Sequence, residues 1–339
     1  MIPYRAEFFD RQINYQFFAV IDEPEIKMDY LTLDKTAITL PSLYDISRGW
    51  FCQIVHGTDT IFQGVVASVS QARSTTSVQL SPMIALFDTQ VYKQKSTYTK
   101  TNLEGWMAGI LTENFQNSGD SVQNLSGFSV SAPTATNSVA LNLETNVHDF
   151  WNDIAKKAIE NAKVAISCSF NPNAKTVSAT VKCHASETEI TLEADLPNVV
   201  SQNFTLRDGS DSTNKCVIIN QADESQRATY TLANYAAPTV CRIETVSVPT
   251  GKTFQEVALD KADEMLRKTD FDNFIELQYR AEDPMVPAIK IGQPVRILKN
   301  GKEYHTVLTG YCERSGFRTL TFGGIRIDLT KIMKLKGAI

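Results

Sequence analysis

Trp50-Phe51-Cys52-Gln53-Ile54-Val55, then His56-Gly57-Thr58-Asp59, then Thr60-Ile61-Phe62-Gln63-Gly64-Val65-Val66-Ala67-Ser68-Val69 carries a strong β signal in this chain. Two runs rich in β-branched and aromatic residues flank four residues of turn chemistry, which predicts a β-hairpin. Gly64, inside the return strand, predicts a bulge or sharp bend of the kind that turns the corner of a small barrel. Thr75-Thr76-Ser77-Val78-Gln79-Leu80 reads as a further strand, and Pro82 releases the chain.

The same grammar returns near the other end. Gln293-Pro294-Val295-Arg296-Ile297-Leu298, the turn Lys299-Asn300-Gly301-Lys302 and Glu303-Tyr304-His305-Thr306-Val307-Leu308-Thr309-Gly310 form a second hairpin, with Asn-Gly as a type I′ signal. Arg318-Thr319-Leu320-Thr321-Phe322 follows it as Thr75 to Leu80 follows the first. The residue-by-residue match is weak, so the repeat is one of pattern.

Three helices are predicted between and beside these units. Thr101-Asn102-Leu103-Glu104 has the form of a capping box, with Leu103, Trp106, Ile110 and Leu111 on one face. Asn146-Val147-His148-Asp149 supplies caps for a second helix with the stripe Val147, Trp151, Ile154, Ala155, Ala158, Ile159 and Ala162. Thr253-Phe254-Gln255-Glu256 is another capping box, opening a helix over 253–268 with Phe254, Val257, Ala258, Ala262, Met265 and Leu266 buried. Gln116 to Val139 is loop-like in composition, and Val164 to Phe170 with Thr176 to Cys183 reads as a hairpin. Lys215 to Gln221 with Gln226 to Leu232 reads as another, and Val240 to Val248 leads into the third helix. The expected organisation is α+β and predominantly β: a β unit over 1–98, an inserted α+β domain over 99–197, and a second β unit over 198–339.

Composition narrows the function. Of 339 residues 42% are hydrophobic and 21% charged, with 33 basic against 38 acidic and no long Lys/Arg run, so nucleic-acid binding is not indicated. Met1-Ile2-Pro3-Tyr4-Arg5-Ala6-Glu7 lacks the basic-then-apolar pattern of a signal peptide, and no stretch nears the roughly 20 apolar residues of a membrane span, so synthesis in a cytoplasm is expected. Cys52, Cys168, Cys183, Cys216, Cys241 and Cys312 occur singly, which predicts buried free thiols. A turn centred on Asn173 places Cys168 opposite Ser178 and Cys183 opposite Lys163, a register that joins no pair.

No nucleophile elbow, phosphate loop, zinc-protease helix or dinucleotide fingerprint occurs. His56, placed in a turn, His148, in the first turn of a helix, and His184 and His305, in or beside strands, read as solvated or partly buried rather than catalytic. Asp208-Gly209-Ser210-Asp211-Ser212 lacks the alternating carboxylates of a calcium loop. Asp270, Asp272, Glu276, Glu282 and Asp283 are numerous enough for a glycosidase pair, but such counts are common on surfaces. Trp50, Trp106 and Trp151 sit at apolar positions and read as core rather than a sugar platform. No catalytic, cofactor-binding or metal residue is assigned, and no cofactor is expected.

The order of segments resembles the baseplate hub family of phage tails, the tail-associated proteins of Gram-positive siphophages and prophages. The resemblance rests on Phe62-Gln63-Gly64-Val65-Val66 leading to Val78-Gln79-Leu80-Ser81-Pro82-Met83-Ile84-Ala85-Leu86-Phe87-Asp88, on Pro249-Thr250-Gly251-Lys252-Thr253, on Ile289-Lys290-Ile291-Gly292-Gln293-Pro294-Val295-Arg296-Ile297, and on the ending Leu320 to Lys331. It spans the whole chain as architecture more than identity. It implies two tube-like small β-barrel domains flanking the insertion, and a homotrimer whose six barrels form a pseudo-sixfold ring. That ring would join a tail tube or distal tail protein to a tip, fibre or receptor-binding protein, around a channel for tape measure protein and DNA. It implies a virion tail tip assembled in a host cytoplasm. The chain stops at Ile339, which argues against a lytic domain of the kind many relatives carry. A cell-wall or polysaccharide hydrolase and a carbohydrate-binding module are the competing expectations.

Overall fold

The computed structural model describes residues 3–119, 124–125, 127–136, 141, 143, 145–205, 213, 215–231, 241–266, 273–284, 286 and 289–323, apart from the side chains of Ala185, Asp263 and Glu264. The fold is predominantly β with a few helices. The chain opens with β1 (Tyr4–Phe9), β2 (Tyr15–Ile21), β3 (Ile26–Asp29), β4 (Thr36–Leu40), β5 (Phe51–His56), β6 (Asp59–Gln71) and β7 (Thr76–Pro82). All but β3 form an antiparallel sheet in the order β2-β1-β5-β6-β7-β4. The sheet curls around Ala6, Phe8, Ile38, Ile54, Phe62, Val78 and Leu80, and Phe17 of β2 stacks on Tyr44 beyond β4 at 4.4 Å across the seam. Each large aliphatic side chain so buried contributes about 1.5–3 kcal/mol. Central strand β5 is buried on both faces, which is why its sequence is an apolar run rather than an alternation.

Next come β8 (Gln90–Tyr92), helix α1 (Leu103–Leu111), β9 (Ser129–Ser131), β10 (Val147–Asp149), helix α2 (Lys156–Ala162), β11 (Val164–Asn171) and β12 (Thr176–Cys183). Here β11 and β12 make the expected hairpin, β9 adds parallel to β12, and the helices pack over it around Trp106, Met107, Ile110, Phe150, Ile154 and Val177. Two helix starts differ from expectation. Asn102 rather than Thr101 caps α1, its side chain accepting from the Gly105 N–H, because Glu104 is drawn elsewhere. The second helical run begins with a wide turn at Phe150–Ala155 capped by Asp149, while Val147 and His148 pair with β8 as strand β10, leaving Val147 52% exposed. The β11–β12 register is one residue from that expected, with Cys168 opposite Ala179 and Cys183 opposite Val164, because four residues rather than three make the turn. All six thiols are free; Cys52 and Cys216 are buried, whereas Cys241 is exposed.

The remaining elements are β13 (Ile190–Glu193), β14 (Ser201–Thr205), β15 (Lys215–Asn220), β16 (Arg227–Thr231), β17 (Cys241–Val246), helix α3 (Phe254–Met265), β18 (Phe274–Arg280), β19 (Pro294–Lys299), β20 (Lys302–Arg314) and β21 (Phe317–Gly323). Strands β16-β15-β17 form a small sheet backed by α3, with a core of Cys216, Ile218, Phe254, Ala258, Ala262 and Leu266. Thr253 caps α3 with the full reciprocal box. Residues 267–268 of the expected helix, Leu232 of the expected strand and residues 324–331 of the resembling ending lie outside the described residues.

The other strands form the order β13-β19-β20-β21-β18-β14. Four of these repeat the first sheet: β5-β6-β7-β4 and β19-β20-β21-β18 have the same chain order, sheet order and antiparallel sense. Each contains a 13-residue strand whose pairing to the next slips once, leaving Ala67 unpaired in β6 and Thr309 in β20. Counted from those slips, Val69, Val78 and Ile38 occupy the positions of Tyr311, Leu320 and Leu277. Val78 and Ile38, like Leu320 and Leu277, are buried inside their sheets. β6 is thus irregular at Ala67 toward β7 and at Ile61 toward β5, and not at Gly64, which pairs regularly with Cys52 and Pro82. Gly64 is required for another reason: a Cβ there would stand 2.4 Å from the Ser81 carbonyl oxygen and 2.6 Å from the Phe62 ring.

Candidate functional site

The side chains that could carry chemistry are dispersed. Among the described residues no group of three or more His, Cys, Asp or Glu converges as a metal set. His56 ends β5 and stacks on Tyr4 at 4.3 Å. His148 is buried with Nε2 3.2 Å from the Lys93 carbonyl. His305 is exposed beside Glu189 at 2.8 Å. Glu276 receives a hydrogen bond from Asn203, and Glu282 and Asp283 lie in the turn after β18. Asp208 to Ser212, Asp270 and Asp272 lie outside the described residues. Trp106 and Trp151 are buried, and Trp50 packs half-buried against the first core.

What the structure does concentrate is the set of contacts that fixes its parts together. β3 leaves the first sheet and pairs antiparallel with β20, matching Ile26 to Glu313 and Asp29 to Gly310, so one strand joins the two half-barrels. Beside this joint Glu313 is 3% exposed and accepts hydrogen bonds from the Tyr311 hydroxyl and, at 3.3 Å, from Arg318 Nη2. Burial first, then the Glu313 contact, pushes the Tyr311 hydroxyl well above the usual phenol range. Arg314 pairs with Glu25 at 3.6 Å, and the Gly316 N–H donates to Glu23.

A second joint holds the insertion against the outer face of the first sheet. Gln53 donates to Glu7 at 2.6 Å, and Gln63 Nε2 donates to Gln53 at 3.5 Å and to the Phe170 carbonyl at 2.9 Å. The Phe170 N–H donates back to Gln63 Oε1 at 3.2 Å. Around this polar ladder Phe9, Phe51, Val65 and Phe170 pack together, with the Phe170 ring 5.4 Å from Phe9 and 5.2 Å from Phe51. At a third joint the ring of His184 stands edge-on to Tyr30 at 6.0 Å, and Gly292, with φ +88°, lies so close that a Cβ would meet both rings at 2.8 Å. Burial pulls the His184 imidazole below its ordinary value despite Glu187 at 3.7 Å.

Glu104 is fully buried and accepts from Thr134 Oγ1 at 2.8 Å, Thr136 N at 2.7 Å and Thr136 Oγ1 at 2.6 Å, fastening the connection before β10 onto α1. From sequence Glu104 has only a capping role, and neither Gln63 nor Glu313 is marked as a joint. The available signal was a polar residue inside an otherwise apolar strand or at the inward position of a helix.

No family model matches the sequence, and no curated protein matches it. Solved structures do match in fold. A tail protein from Neisseria meningitidis superposes with a TM-score of 0.57 at 11% identity, over 97% of this chain and 99% of that one. The 43 kDa tail protein of prophage MuSo2 from Shewanella oneidensis gives 0.55 at 13% identity, over 96% and 94%. The prophage tail protein gp18 from Listeria monocytogenes gives 0.52 at 10% identity, over 99% and 98%. The chain therefore has the fold of phage tail and baseplate proteins, as its segment order implied. Among the described residues no helix is long and apolar enough to cross a membrane.

Proposed function

We propose that this chain is a structural subunit of a phage or prophage tail, the baseplate hub at the tail tip, with no catalysis of its own. The observation that carries the reading is the repeated four-strand unit, which shares order and bulge position at both ends of one chain. Three copies would present six near-equivalent half-barrels, letting a threefold assembly meet a sixfold tube. In this reading 1–98 and 198–339, the second completed by β13 from the end of the intervening segment, are the ring-forming domains, and the rest of 99–197 decorates the rim. A tail tube or distal tail protein docks above, a tip, fibre or receptor-binding protein below, and tape measure protein and DNA occupy the channel. The particle is a virion component assembled in the bacterial cytoplasm.

Likeness in fold over nearly the full length of several tail proteins supports the same role. Electron micrographs of purified protein test it: class averages should show a ring with threefold symmetry and six density lobes around a hole. Compact particles without a hole would contradict the reading. Loss of turbidity from cell walls incubated with the pure protein would overturn the non-catalytic part.

A further inference from the structure

The outer strand β2 carries the uncharged, proline-free sequence Tyr15-Gln16-Phe17-Phe18-Ala19-Val20-Ile21 between Arg11 and Asp22. Phe17, Ala19 and Ile21 point into the barrel or its seam, whereas Tyr15, Phe18 and Val20 are 55%, 52% and 51% exposed. Outer strands of sheets are ordinarily guarded by charge, proline or shortness. The other outer strands of the two half-barrel sheets, each only four or five residues long, expose small or polar side chains instead: β13 exposes Thr191 and Glu193, β14 exposes Ser201, Gln202, Asn203 and Thr205, and β4 exposes Ala37 and Thr39.

The bare stripe continues an interface that already exists within the chain. Phe9, held under Phe170 of the insertion, touches Tyr15 edge-on at 5.8 Å, so one apolar strip is covered at one end and open along Phe18 and Val20. Arg5 lies across the strip with its guanidinium carbon 5.7 Å from the centre of the Phe18 ring, engaged also with Glu7 at 2.7 Å. Large apolar side chains bordered by an arginine whose charge is already paired within the chain, by Glu7, suit the centre of a permanent contact between subunits.

We infer that the outer face of β2, centred on Phe18 and Val20, is the surface on which a second copy of this chain seats. The inference rests on the ring reading. Among the described residues the second sheet has no strand beyond β13 to correspond with β2 beyond β1, so within them the face occurs once per chain. A ring of copies needs one unlike contact per subunit, head to tail, and a surface present once per chain satisfies that count.

The test uses the full chain with Phe18→Lys and Val20→Lys together, and Phe18→Ser alone as a milder variant. Wild type should sediment as a trimer. The double variant, with an unchanged circular dichroism spectrum, should dissociate, its association weakened about 100-fold or more, as expected for losing central apolar anchors. Independently of any variant, hydroxyl-radical oxidation of Tyr15 and Phe18 should be slower in the wild-type trimer than in the same protein diluted to monomer. A trimer that persists in the folded variants, or equal oxidation rates, overturns the inference while leaving the ring intact, and assigns the stripe to another tail protein. A wild type that is monomeric at high concentration overturns both.

Discussion

The side chain of Gln63 exchanges two hydrogen bonds with the backbone of Phe170, giving one at 2.9 Å and receiving one at 3.2 Å, and so fastens the inserted domain to the outer face of the first half-barrel. Gln63→Leu keeps the volume and removes both. The Phe170 N–H and carbonyl are then left in an apolar site, at a cost of about 1–3 kcal/mol. Denaturant unfolding should show that loss, and amide exchange at Phe170 should accelerate. Unchanged exchange at Phe170 would show that the joint is held by the aromatic contacts alone.

Glu104 gives the stability curve an acid limb. Burial raises its carboxyl pKa, but the hydrogen bonds from Thr136 and Thr134 outweigh burial and hold it below the ordinary 4.5. A carboxylate depressed in the folded state contributes stability that is fully present above its unfolded pKa and is lost as pH falls through the folded one. Wild type should therefore lose this contribution below about pH 4.3. Glu104→Ala should cost about 2 kcal/mol or more at neutral pH and flatten the acid limb in pH-dependent urea unfolding. An acid limb identical to wild type would assign the transition to other groups.

Two glycines separate steric need from conformational need. Gly64→Ala drives a methyl group to 2.4 Å from the Ser81 carbonyl in the centre of a sheet and should cost about 1–3 kcal/mol. Gly301, with φ +72°, has open space around it, so Gly301→Ala should cost only the left-handed backbone penalty of about 1–2 kcal/mol. Thermal unfolding ranks them, and a larger loss at Gly301 would contradict the packing at Gly64.

Thiol labelling at neutral pH reads the cores directly. Cys241 is exposed on outer strand β17 and should react first in native protein. Cys52, buried with its thiol raised well above the ordinary range, should label only after unfolding, whereas half-buried Cys168, its thiol pushed up to about 12 by burial, should label more slowly than Cys241. Mass spectrometry of partially labelled protein distinguishes the sites. Early labelling of Cys52 would contradict the packed interior of the first half-barrel.

The two hairpins were legible in the sequence because their signals are local. The Asn300-Gly301 turn adopts the positive φ values its dipeptide demands, 50° and 72°. The doubly buried β5 announced itself as an unbroken apolar run. The Thr253 box formed as written. Elsewhere distant partners decided the outcome. Ile26-Lys27-Met28-Asp29 is a short, mixed segment whose strand character comes from β20, at the far end of the chain. Glu104 abandons its capping role for Thr134 and Thr136, shifting the helix start to Asn102. Gly64 draws attention as a bulge because glycine commonly marks one, whereas the slips of β6 fall on Ile61 and Ala67, where no residue type betrays them. The assembly surface was illegible for a related reason: Phe18 and Phe17 are adjacent in sequence, and only the register of β2 on β1 decides which of them faces out.

Two like half-barrels in one chain suit a threefold ring with six near-equivalent positions. Solution mass by light scattering behind a sizing column measures it most directly. A threefold ring gives a particle of three times the 37.7 kDa chain mass, persisting on dilution through the micromolar range. A single species at the mass of one chain, at any attainable concentration, would contradict it.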